Sequence, residues 1–150
     1  MREYVLDVWR QNPLLHRLME VRRARGPARH QQLLDILKDF ERIEGVPVET
    51  VVPGIVQGKT LVRGNLASLR SKPGVLQIEM QAYEDTDTLM REVIHELCFH
   101  YAGGPDHSRL LGTSGMSALR IFERAIETGE GEGFLIRFLP VDGTPRPRRR

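Results

Sequence analysis

The chain has 150 residues, 40% of them hydrophobic and 28% charged, with a formal net charge of +2 and one cysteine. That length is the usual size of one compact domain and is enough to bury a core without staples. A single cysteine excludes an internal disulfide and any multi-cysteine zinc cluster, so a metal site must rest mainly on histidine and carboxylate. No run approaches the ~20 apolar residues of a membrane span, and Met1–Trp9 carries acidic residues among its apolar ones, so the expectation is a soluble, non-secreted protein of a reducing cytoplasm.

In chain order, Asn12-Pro13 reads as an N-cap and first helical position, and Leu14, Leu15, Leu18, Met19 and Val21 form an apolar stripe with helical spacing that Gly26-Pro27 ends. A second helix is predicted from about Ala28, with Leu33, Leu34, Ile36, Leu37, Phe40 and Ile43 on its buried side and Gly45 as its stop. Residues 13–44 are thus helical. Arg17, Arg22, Arg23, Arg25 and Arg29 crowd this segment, and Arg146, Arg148, Arg149 and Arg150 end the chain. Such clusters can dock on phosphates or on an acidic protein surface, but no aromatic residues interleave with them as stacking platforms require. A solvated helix face and a basic tail are the plainer explanation.

The period then changes. Val48–Val52, Ile55-Val56, Leu61-Val62 and Val75–Met80 are short β-prone runs separated by Pro53-Gly54, Gln57-Gly58 and Lys72-Pro73-Gly74, giving three or four strands of one small sheet over residues 48–80. Pro47 has no N–H for a ladder, so the first strand should start no earlier than Val48 or lie at an edge. Glu84-Asp85-Thr86-Asp87 supplies an acidic cap for a helix over 86–102, broken by Gly103-Gly104-Pro105. Ser114 caps a further helix over 115–128, with Met116, Leu119, Phe122, Ala125 and Ile126 on one face and Gly129 at its end. Phe134–Leu139 reads as a final strand, and the proline-arginine tail after Gly143 as disordered. The predicted class is α+β, a small twisted sheet packed against several helices, in a single domain of residues 1–143 followed by the basic tail 144–150.

Three of the five histidines fall in one stretch, His95-Glu96-Leu97-Cys98-Phe99-His100 followed by Gly103-Gly104-Pro105-Asp106-His107. A histidine followed at once by glutamate, with a second histidine about one turn on, lets a helix offer two imidazoles to zinc and a carboxylate to its water. Here the interval is one residue too long. On a regular helix His100 lies about 140° around from His95, and Phe99 holds the position of the usual second ligand. A π-bulge, one wide turn that inserts a residue, would bring the two histidines together. Leu89, Met90, Val93, Ile94, Leu97 and Tyr101 form the apolar sector of this helix, which leaves His95, Glu96 and Phe99 on the other side.

The six residues 95–100 resemble the His-Glu-x-x-x-His zinc motif of the dipeptidyl peptidase III family of metallopeptidases. The resemblance implies His95 and His100 as zinc ligands and Glu96 as general base. The continuation to His107 looks like that of the metzincins, where a glycine turn swings a third histidine onto the metal, and Met116 can be likened to their Met-turn. The order of strand, histidine helix, glycine turn and further helix is similar to the zincin superfamily at large. That likeness implies a zincin-like minimal core whose edge strand, here Val75–Met80, holds an extended peptide.

Glycines before His107 let the backbone turn tightly, and Asp106 could orient its imidazole. The expected centre is therefore a Zn2+ ion held by His95, His100 and His107, with Glu96 activating the water for peptide hydrolysis; Tyr83 and Tyr101 are candidates to steady the oxyanion. The plain alternative pairs Glu96 with His100 at i+4 on an ordinary surface, with Cys98 buried as a small apolar residue. A rival function is a regulatory, phage-type protein that binds a nucleic-acid machine or nucleic acid through Arg22, Arg23, Arg25, Arg148, Arg149 and Arg150, its metal motif degenerate. A toxin-like nucleic-acid hydrolase using the same histidines has no specific signature. Asp106-His107-Ser108 lacks the separation and nucleophile elbow of a triad, and Gly112-Thr113-Ser114-Gly115 lacks the lysine of a P-loop.

Overall fold

The computed structural model describes residues 2–51, 55–56, 59–60, 75–102 and 117–141. Its elements are helices α1 (Arg2–Gln11), α2 (Pro13–Val21) and α3 (Gly26–Glu44), and strands β1 (Val48–Val51), β2 (Ile55–Val56), β3 (Lys59–Thr60) and β4 (Leu76–Glu79). A 3-10 turn (Met80–Glu84) follows, then helices α4 (Thr86–Ala102), α5 (Ala118–Thr128) and α6 (Glu132–Phe138). The class is α+β, mostly helical with little sheet. The chain divides into two compact units, Met1–Arg22 with Leu97–Arg150, and Arg23–Glu96, so α4 runs from one into the other.

In the first unit, α1 and α2 meet at Asn12, whose extended backbone (φ −117°, ψ 93°) and following Pro13 start α2 as expected. Its side chain does not cap α2. Instead Asn12 Nδ2 donates to Val8 O at 2.6 Å, and His16 Nε2 donates to Trp9 O at 2.7 Å. Two carbonyls at the end of α1 are thus bonded by side chains of the junction residue Asn12 and of His16 on α2. Val5, Leu6 and Trp9 of α1 are buried with Leu14, Leu15, Leu18 and Val21 of α2. The Trp9 ring lies 5.8 Å from that of Phe122 on α5, an inclined pair of the kind aromatic quadrupoles favour. Ile121, Phe122, Ala125 and Ile126 are fully buried, while Arg120 and Arg124 reach Glu127 on the outer face. Helix α5 begins later than expected, with Ser117 as its cap: Ser117 Oγ accepts from Arg120 N at 3.2 Å. Ser114 and Met116, assigned above to this helix, lie outside the described residues.

Residues 134–139 do not form a strand. Phe134 to Phe138 belong to α6, where the two rings stand one turn apart with centroids 4.5 Å from each other and the Arg137 guanidinium sits 5.5 and 4.9 Å from them. This i, i+4 aromatic pair with a cation over it favours the helix. Phe134, Leu135 and Leu139 face inward.

In the second unit, α3 starts at Gly26-Pro27, slightly before the expected Ala28, and ends at Gly45, which takes the left-handed conformation (φ 68°) and donates to Glu41 O at 3.0 Å. The next link is also a cap, since Glu41 Oε2 accepts from Val48 N at 2.9 Å. Pro47, unable to donate, accepts from Leu76 N through its carbonyl at 2.9 Å, and β1 starts at Val48. Strands β1 and β4 run parallel, with Val48 opposite Leu76 and Val51 opposite Glu79. β2 and β3 form a separate antiparallel pair, Ile55 opposite Thr60, so the expected single sheet is two two-stranded ones among the described residues. All four residues of β4 are buried, Gln77 and Glu79 included, as in a parallel strand covered on both faces. Leu33, Ile36, Leu37 and Phe40 of α3 and Leu89, Met90, Val93 and Ile94 of α4 complete the core of this unit.

Candidate functional site

Helix α4 carries the histidine motif, and its start is fixed twice. Asp85 Oδ2 accepts from Thr88 N at 2.9 Å and from the Thr88 hydroxyl, and these bonds hold the Asp85 carboxyl below its ordinary range. From α3, Arg29 Nη1 donates to Asp87 Oδ1 at 2.8 Å, and the Thr86 hydroxyl lies 3.3 Å from His30 Nδ1. The acidic cluster predicted as a cap therefore works as one, and one of its carboxylates also anchors an arginine of the basic segment.

Along α4 the buried residues are Leu89, Met90, Glu92, Val93, Ile94, Leu97, Cys98 and Ala102. His95, Phe99 and His100 are exposed, and Glu96 and Tyr101 are half-buried. The helix thus leaves outside the core the three polar residues of the motif, together with Phe99, at 45% exposure. Cys98 is fully buried, and burial first, with Glu123 and Glu127 adding to it, pushes its thiol well above the ordinary value. A buried neutral thiol suits packing and not ligation. Tyr101 stands edge-on to His100, ring centroids 5.0 Å apart.

Residues 86–102 form α-helix throughout, with no π turn between His95 and His100. At about 100° per residue the two imidazoles leave the helix about 140° apart, while Glu96 and His100, four residues apart, share a strip. His95 is exposed and the adjacent Glu96 half-buried. His95 and His100 fit a common ion only if the turn between them widens. His107, with Asp106 and the glycine turn, lies outside the described residues, and among those described no group of three histidine, cysteine or acidic side chains is placed to hold a metal.

One residue of this strip escaped the sequence reading. Glu92, four residues before Glu96 and three before His95, is only 7% exposed, although its spacing puts it beside Glu96 and outside the apolar sector. Of the basic segment, Arg23 and Arg25 are exposed and Arg22 is half-buried beside Gly129. Arg146–Arg150 lie outside the described residues. Among those described, no helix is long and apolar enough to cross a membrane. Comparison of the chain with protein-family models, curated proteins and solved structures finds no match.

Proposed function

We propose that the chain is a small zinc-dependent metallopeptidase of the cytoplasm, with His95, His100 and His107 as metal ligands, Glu96 as general base and a peptide or protein as substrate. The observation that supports this reading is the outward placement of His95, Glu96 and His100 on a helix whose Ile94, Leu97, Cys98 and Ala102 are all buried. Zinc supplies a Lewis acid and lowers the pKa of its bound water to near ~7. Glu96, half-buried beside exposed His95, would be the group to accept a proton from such a water and to donate one to the leaving amine.

Metal analysis of the purified chain tests this. About one zinc per chain is expected, lost in His95→Ala and His107→Ala, and Glu96→Gln should keep the metal while losing about 10²-fold or more in peptide cleavage. Zinc retained with cleavage unchanged in Glu96→Gln would remove the hydrolytic role.

The uninterrupted α-helix between His95 and His100 favours a second reading. In it the chain is a non-enzymatic regulator that docks on nucleic acid or its machinery through Arg22, Arg23, Arg25, Arg148, Arg149 and Arg150. Steeply salt-dependent binding of DNA or RNA, reduced when the three terminal arginines are removed, would support it.

A further inference from the structure

The arginines around the start of α3 differ in what they already hold. Arg22 is half-buried, its guanidinium beside Gly129. Arg29 is half-buried too, with Nε donating to Ala24 O and Nη1 to Asp87 Oδ1, both at 2.8 Å. Arg23 and Arg25 are exposed, and neither side chain has a hydrogen bond or ion pair with another described residue. They flank Ala24, whose carbonyl Arg29 fixes, and the extended backbone of Arg25 (φ −138°, ψ 154°) leads into α3. We propose that Arg23 and Arg25 are a contact for the phosphate backbone of a nucleic-acid duplex. This rests on the second reading above and narrows it, because Arg22 and Arg29 are spent within the fold and these two are not.

The surroundings suit a polyanion. Gly26, Pro27 and Ala28, which follow Arg25, are all exposed, and the space around Gly26 is open. The first turn of α3 holds no acidic residue, and the carboxylates that open α4 are engaged, Asp87 by Arg29 and Asp85 by Thr88. The same residues select the kind of partner. Residues 23–30 expose no large hydrophobic side chain, so a protein partner would find no anchor to bury. They carry no phenylalanine, tyrosine or tryptophan, so the bases of a single strand would find no stacking platform. A duplex backbone needs neither, since cations that displace its counterions supply most of the sequence-independent affinity.

The test measures binding of the full chain to a short labelled DNA duplex across a salt series. Arg23→Ala and Arg25→Ala should each reduce the slope of log K against log salt by about 0.9, one phosphate contact apiece, with Tm unchanged because both side chains are exposed. Arg29→Ala should keep the slope and lower Tm, because its guanidinium is held by Ala24 and Asp87. Wild-type slopes in both Arg23→Ala and Arg25→Ala, with binding lost when the three terminal arginines are removed, overturn this contact and leave the second reading standing. A slope lost equally in Arg29→Ala reduces the effect to a count of charges and overturns the assignment. Equal competition by poly-glutamate, or tighter binding of a single strand, overturns the duplex as partner. No duplex binding at low salt overturns both the contact and the reading it rests on.

Discussion

Replacing Gly129 by alanine tests the joint between α5 and the end of α2. Gly129 ends α5 with φ 76°, where an L residue costs roughly 1–2 kcal/mol. The space a Cβ needs is also taken, because the Arg22 guanidinium lies there, its Cζ 2.5 Å and its Nε 2.6 Å from the ideal Cβ position. Arg22 must withdraw from beside the C-terminus of α5, and moving a cation away from that end of the helix costs about 0.3–1 kcal/mol. The sum is about 2 kcal/mol, or some 4–8 °C in Tm for a chain this long. Urea denaturation of four proteins reads it: wild type, Gly129→Ala, Arg22→Ala and the double variant. Once Arg22 is gone only the backbone cost remains, so the double variant should lose less than the two singles together. Strict additivity, or a Gly129→Ala protein within about 0.5 kcal/mol of wild type, would refute the steric account.

Other consequences follow from single side chains. Because hydrogen bonds from Thr88 depress the Asp85 carboxyl in the folded chain, its stabilising effect is complete above the ordinary carboxylate value of about 3.8 and fades as pH falls through that value toward the depressed one. Thermal melts of Asp85→Ala should therefore lie below wild type at neutral pH and converge with it in acid. Ser117→Ala removes the cap of α5 and should cost about 1 kcal/mol in urea denaturation, with Ser117→Asp recovering most of it. The Cys98 thiol should resist a disulfide reagent in the native protein and react fully in denaturant; rapid native labelling would contradict its burial.

Where the chain signals its own boundaries, the sequence and structure agree. Asn12-Pro13, Gly45 and the missing N–H of Pro47 act through local backbone chemistry, so α2, the end of α3 and the start of β1 can be read directly. The acidic cap and outward face of α4 were legible for the same reason. Helix α6 was not. Phe134–Leu139 is a continuous apolar run too short to show a period, and its state depends on the Phe134–Phe138 ring pair and Arg137, which form only once the helix exists. Helix α1 was also missed, since Val5, Leu6 and Trp9 offer few apolar positions and their burial comes from tertiary packing. At the candidate site, the order of His95, Glu96 and His100 is plain in sequence, but their angular relation depends on whether the helix runs unbroken. Burial of Leu97, Cys98 and Ala102 accounts for its doing so.

The parallel pairing of β1 with β4 also sets a time. Helices relax in about a microsecond, but Val48–Val51 meets Leu76–Glu79 only across 24 intervening residues, a separation whose closure costs about 3 kcal/mol of chain entropy beyond a constant. Closure of this pair is therefore expected to be the slow event in forming the second unit. Ile78→Val should therefore slow refolding, whereas a cap variant such as Ser117→Ala, far along the chain in the other unit, should mainly hasten unfolding.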